Sequence, residues 1–189
     1  MLIDFDILTV IIGTLIYIVI CFFNRKKHKN EKIYYVFSTI MFIYFMQVAK
    51  YTIFPIPILG YPSNIANSIN YIPFKGGINR TDILNIMMTI PLGVGMPFIT
   101  NIKNIKKSMV LGLSAGVIIE TIQYLETFLT DGFTYRIIDI NDLIFNFTGT
   151  VLGFLALHVF SRLFLKLNEK KLTTFWRYVY KICDSISLK

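Results

Sequence analysis

The chain has 189 residues, of which 54% are hydrophobic and 16% charged, with a formal net charge of +8. A soluble domain carries about 25% charged residues, so this composition excludes an ordinary soluble domain and a disordered chain. The two cysteines fall in no Cys-x-x-Cys or Cys/His cluster, which excludes a disulfide scaffold and a zinc module.

Five apolar stretches are long enough to cross a bilayer: residues 7–23, 33–54, 83–100, 108–127 and 143–167. A span needs roughly 20 helical residues, with about 17 to 25 tolerated. The third stretch contains Pro91 and Gly93, which favour a kink or a partly re-entrant segment. The alternating segments of about ten residues that build a membrane barrel are absent. The predicted fold is all-α: a polytopic membrane bundle of about five transmembrane helices over residues 1–165, with a tail at 166–189.

Charge predicts the orientation. The first connector holds Arg25, Lys26, Lys27, Lys29 and Lys32 against Glu31, and the third holds Lys103, Lys106 and Lys107. The tail is basic as well, whereas Asp4 and Asp6 precede the first stretch and Glu126, Asp131, Asp139 and Asp142 surround the fourth connector. Basic loops stay in the cytoplasm, so the N-terminus is expected outside and the C-terminus inside. The positive charge then faces anionic lipid, and nucleic acid is not an expected partner. The acids come first and the basic cluster follows the apolar run, so the first stretch reads as an uncleaved anchor and not a cleavable signal. Cys21 and Cys183 both fall toward the cytoplasm and are expected to be unpaired thiols.

The connector over 55–81 is rich in proline and glycine, and its apolar Asn70-Tyr-Ile-Pro-Phe74 run is expected to cap the bundle or lie on the outer membrane face. In the tail, Leu172, Phe175, Trp176, Val179, Ile182, Cys183 and Ile186 recur at helical spacing with the basic residues largely off that stripe. This predicts an interfacial amphipathic helix on the inner leaflet.

The polar residues of the spans gather at one depth. The third stretch opens with Asp82 and Asn85, the fourth carries Glu120 and Gln123 toward its end, and the fifth opens with Asp139, Asp142 and Asn146. Steps of three and four put each set on one helix face, and Gly149 and Gly153 continue near the last stripe, where a close helix neighbour fits. Glu120 lies six residues inside Glu126, about 9 Å at helical rise. A carboxylate there needs a partner, a wet cavity or a proton. Purely structural roles are open to each residue alone: Asp82, Asp139 and Asp142 as caps or first-turn acids, Asn85, Gln123 and Asn146 as interhelical glue, and Arg136 as a partner for Glu120 or Asp139. Together, on three helices at one depth, they point to an outward-facing polar pocket.

The same residues carry a resemblance. Asp82-Ile-Leu-Asn85, Ile90-Pro-Leu-Gly93, Glu120-Thr-Ile-Gln123, Arg136-Ile-Ile-Asp139-Ile-Asn-Asp142 and Asn146-Phe-Thr-Gly149, in this order after Asn70-Tyr-Ile-Pro-Phe74, resemble the VanZ-like family over residues 70–157. The resemblance implies a small multi-helix protein of the cell membrane, of Gram-positive type. The family's namesake is linked to low-level resistance to teicoplanin, a lipoglycopeptide that binds peptidoglycan precursors outside the membrane. The family supplies no settled reaction.

Two functions follow as expectations. In the first, the pocket binds or shields a lipid-linked envelope precursor or a lipoglycopeptide without turnover: apolar helix faces take the chain, and Asp82, Asn85, Glu120, Gln123, Arg136, Asp139, Asp142 and Asn146 take polar groups. In the second, an outer-leaflet hydrolase or transferase acts on an envelope lipid or glycan, with Glu120 as acid or base and Asp139 or Asp142 as second carboxylate. No Gly-x-Ser-x-Gly, His-Glu-x-x-His or nucleophilic cysteine appears, and neither His28 nor His158 is near these residues, so binding is favoured. No cofactor is expected, although oxygen ligands of this type leave a divalent cation open. A carrier is disfavoured because internal repeats and midplane polars are missing.

Overall fold

The computed structural model describes residues 2–26, 28, 31–57, 69–75, 77–129 and 138–187. Among the described residues six α-helices carry the fold: α1 (Ile7–Asn24), α2 (Lys32–Thr52), α3 (Arg80–Ile99), α4 (Ile105–Leu129), α5 (Ile140–Phe164) and α6 (Thr174–Ser187). The first five are long and apolar enough to cross a membrane. Two short strand pairs tie connectors to the bundle. β1 (Leu2–Ile3) runs antiparallel to β2 (Ile56–Pro57), and β3 (Ile69–Asn70) runs parallel to β4 (Ile138–Asp139).

Helix α1 starts where Asp6 accepts the Thr9 amide at 3.0 Å, a side-chain cap that replaces a missing helical partner. It buries no residue completely and rests on α2, with Tyr17 stacked on Phe42 at 4.6 Å and its hydroxyl 2.9 Å from Thr39 Oγ1. Its remaining surface is apolar on every side, which suits lipid contact.

The centre of the bundle is the pair α3 and α5. Gly149 lies against the Ile86 carbonyl, Gly153 against the Ile90 carbonyl, and Gly93 against the Thr150 carbonyl. Without a solvent-driven hydrophobic force between helices in lipid, such close approach supplies the packing attraction. Gly149 and Gly153 thus do what their place in the sequence predicted. Helix α4 adds a third member, where a β-carbon at Gly112 would stand 3.0 Å from Thr150 Cβ. Helix α3 runs unbroken through Pro91 and Pro97 as one 20-residue helix, not as a broken pair of segments.

The interior is divided by chemistry. At one end Phe98, Phe154, Leu157, Val179, Cys183 and Ile186 form an apolar cluster joining α3, α5 and α6, backed by Phe37 of α2. At the other end polar residues predominate among the buried ones, Asp82, Thr89, Asn141, Asn146 and Thr150, with Phe145 beside them. The tail stripe is divided likewise. Val179, Cys183 and Ile186 are covered by the bundle, whereas Phe175 and Trp176 remain exposed, so α6 is docked on α5 as well as amphipathic.

Candidate functional site

The polar end is built from caps outward. Asn79 and Asp82 form a reciprocal capping box at the start of α3: the Asp82 amide donates to Asn79 Oδ1 at 3.1 Å and the Asn79 amide to Asp82 Oδ2 at 2.7 Å. Asp139 is the N-cap of α5 and accepts the Asn141 amide at 2.8 Å. The same carboxylate oxygen accepts Asn70 Nδ2 at 2.9 Å. Asn141, only 2% exposed, accepts the Phe74 amide at 2.8 Å, and the Phe74 ring meets Phe145 edge-on at 6.1 Å. The 70–74 run therefore sits over the start of α5, one of its two expected placements, held by the Asn70 side chain and the Phe74 amide while Tyr71, Ile72 and the Phe74 ring stay exposed.

Inside these caps the helices are joined by side chains. Asn85 Nδ2 donates to Asp142 Oδ1 between α3 and α5. Gln123 Nε2 donates to the Thr52 carbonyl at 3.1 Å, linking α4 to the end of α2, and the Tyr44 hydroxyl donates to the Met88 carbonyl at 3.0 Å. Buried threonines satisfy their hydroxyls on carbonyls of their own helix, Thr89 on Asn85 at 2.9 Å and Thr150 on Asn146 at 3.0 Å.

Other polar atoms are left over. Both carboxylate oxygens of Glu120, Oε1 of Gln123 and Oδ1 of Asn146 are buried without a hydrogen-bond partner among the described residues. These residues line a cavity of about 870 Å³ between α2, α3, α4 and α5. Its polar wall holds Asp82, Asn85, Glu120, Gln123, Asp139, Asp142 and Asn146. Leu84, Met87, Met88 and Ile119 supply an apolar flank. No lysine, arginine or histidine stands among its described lining residues. Nor do three His, Cys, Asp or Glu side chains gather there as a metal-binding group, among the described residues.

A family model, VanZ/LLP1, matches residues 8–161, more than four-fifths of the chain. The chain belongs to the VanZ/LLP1 family. No curated protein and no solved structure matches it significantly. With five membrane-length helices, this VanZ-family chain is a multi-pass membrane protein.

Seven of the eight ligand-binding residues expected from sequence line the one cavity. The eighth, Arg136, lies outside the described residues. Asp82 and Asp139 serve both expectations at once, as helix caps and as cavity wall. Sequence reasoning missed two contributions. Helix α2 closes the cavity with Tyr44, Gln47, Tyr51 and Thr52, a wall that only tertiary packing assembles. Asn141 was the other, its buried amide holding the 70–74 run. Its position next to Asp142 and its N-terminal place in α5 were the available signals.

Proposed function

We propose that this protein holds a lipid-linked ligand of the cell envelope, a lipoglycopeptide of the teicoplanin type or an undecaprenyl-linked peptidoglycan precursor, and thereby lowers susceptibility to lipoglycopeptides. The cavity opens outward from the cell membrane of a Gram-positive-type envelope, with the N-terminus outside and the C-terminus inside. The observation that carries this reading is one cavity offering an apolar flank beside convergent unpartnered polar atoms. Such a mixture suits an amphiphile, with the chain against Leu84, Met87, Met88 and Ile119 and hydroxyl, amide or amine groups against Glu120, Gln123 and Asn146. Four carboxylates without a described cation favour amines and hydroxyls over a bare phosphate.

Binding is preferred to turnover because three of the four carboxylates already accept hydrogen bonds, Asp82 and Asp139 as caps and Asp142 from Asn85, which leaves Glu120 as the one without a partner among the described residues. The test compares susceptibility to a lipoglycopeptide and to a glycopeptide without the acyl chain, in a host expressing the wild type or Glu120→Gln at equal level. Protection confined to the lipidated drug and lost in Glu120→Gln supports the reading. Equal susceptibility of expressing and empty hosts refutes it. Chemical change of the drug or of an envelope lipid on incubation with purified protein would favour the hydrolase or transferase alternative.

A further inference from the structure

The opposite end of the bundle holds another cavity of about 870 Å³. Its walls come from the start of α2, the end of α3 with the connector that follows, and α6. Four cations line it: Lys32, Lys103, Arg177 and Lys181. The carboxylate of Glu31 is also present, but it is bonded to His28 Nδ1 at 2.7 Å. Among the described residues no ion pair joins any of the four cations to a carboxylate.

Lys103 is half-buried and gives one hydrogen bond, to the Pro97 carbonyl at 2.9 Å. Burial holds its ammonium below the usual lysine range. Arg177 gives one bond, to the Leu172 carbonyl at 3.3 Å. Both keep further donors for a ligand. The floor is apolar and ordered: Tyr34 and Phe98 are buried, and the Tyr178 hydroxyl donates to the Phe98 carbonyl at 2.6 Å.

We propose that this basic cavity is a second binding site, which takes a phosphate-bearing anion between α2, α3 and α6. Ammonium and guanidinium groups that line one cavity without ion-pair partners among the described residues match phosphate oxygens in charge and in hydrogen-bond sense. The site is separate from the carboxylate-lined cavity and does not depend on what that cavity holds. Two sources present this chemistry: the headgroup of an anionic phospholipid and phosphate in solution. The apolar floor and the exposed Trp176 of the docked α6 place the site at the bundle's surface, where a headgroup arrives with its acyl chains alongside.

The test uses the purified full chain in neutral detergent, with short-chain phosphatidylglycerol, phosphatidylcholine and inorganic phosphate as probes, read by native mass spectrometry. The expected result is phosphatidylglycerol bound at least about tenfold more tightly than phosphatidylcholine. Lys103→Gln with Arg177→Gln removes the preference. Lys106→Gln with Lys170→Gln, an equal loss of charge at exposed positions off the cavity, leaves it within about twofold. If the first pair melts early, Lys32→Gln with Lys181→Gln repeats the test on exposed positions. Competition by millimolar inorganic phosphate identifies a soluble source, and its absence a lipid headgroup. Equal binding of the two lipids, with no binding of inorganic phosphate, overturns the proposal. So does equal weakening by the cavity pair and the control pair.

Discussion

Replacing Gly149 by alanine tests how the bundle holds its polar cavity. The added β-carbon would meet the Ile86 carbonyl and Thr89 Oγ1 at distances that real β-carbons do not show. Ordinary contact begins near 3.4 Å, so α3 and α5 must separate locally by about 1 Å, a form of overpacking that typically costs about 1–3 kcal/mol. Helix propensity works the other way, favouring alanine over glycine by about 0.8–1 kcal/mol. A net loss of stability therefore reports the clash and not the helix. Gly149 sits two turns from Asp142, so the same separation strains the Asn85–Asp142 hydrogen bond that joins the helices. The comparison is Gly13→Ala, whose β-carbon would meet the flexible end of Met46, Sδ at 2.5 Å and Cε at 2.8 Å. Met46 is able to swing away, so its cost should stay within about 0.5 kcal/mol. Denaturant unfolding in mixed micelles, followed by circular dichroism, measures both. A Gly149→Ala protein as stable as wild type, or a Gly13→Ala protein equally damaged, would refute this account of the α3–α5 contact.

Three further outcomes are expected. In a background lacking Cys21 and Cys183, a cysteine at Tyr71 should react with a membrane-impermeant thiol reagent in intact cells, and one at Lys106 only after permeabilisation; the reverse pattern inverts the orientation. Asp139→Ala removes the α5 cap and the Asn70 contact together and should cost about 0.5–2 kcal/mol in the same unfolding assay, with Asp139→Asn recovering part of it. The Thr9 amide holds the Asp6 carboxyl below the ordinary carboxylate range. The folded pKa therefore lies below the unfolded one, so the cap contributes fully above about pH 4 and is lost as pH falls through the folded value. Hydrogen exchange at the start of α1 should show acid loosening in wild type and not in Asp6→Asn; identical profiles would contradict it.

Much of the fold was legible because lipid imposes one simple requirement, a run of apolar residues long enough to satisfy its own backbone. All five spans were visible for that reason, with ends displaced by a few residues where Asn79 and Asp139 cap helices ahead of the apolar run. The Gly149 and Gly153 spacing revealed a close contact, although not that α3 was its partner. Composition could not say what covers an amphipathic stripe: Val179, Cys183 and Ile186 pack on protein, not lipid, and the periodicity is the same either way. Proline at 91 suggested a break, but α3 continues through it as a single helix. The cavity was half legible. Its carboxylates and amides declared themselves by being costly in a membrane, whereas Tyr44, Tyr51 and Thr52 are ordinary span residues until α2 packs beside α3.

The central claim is that the carboxylate-lined cavity receives an amphiphilic envelope ligand. The most direct measurement is calorimetric titration of the purified full chain, in nanodiscs, with a lipoglycopeptide and with its deacylated form. Saturable binding of the acylated drug alone, weakened about tenfold or more by Glu120→Gln in a protein of unchanged stability, is the predicted result. Binding that ignores the acyl chain, or that Glu120→Gln leaves unaltered, would contradict it.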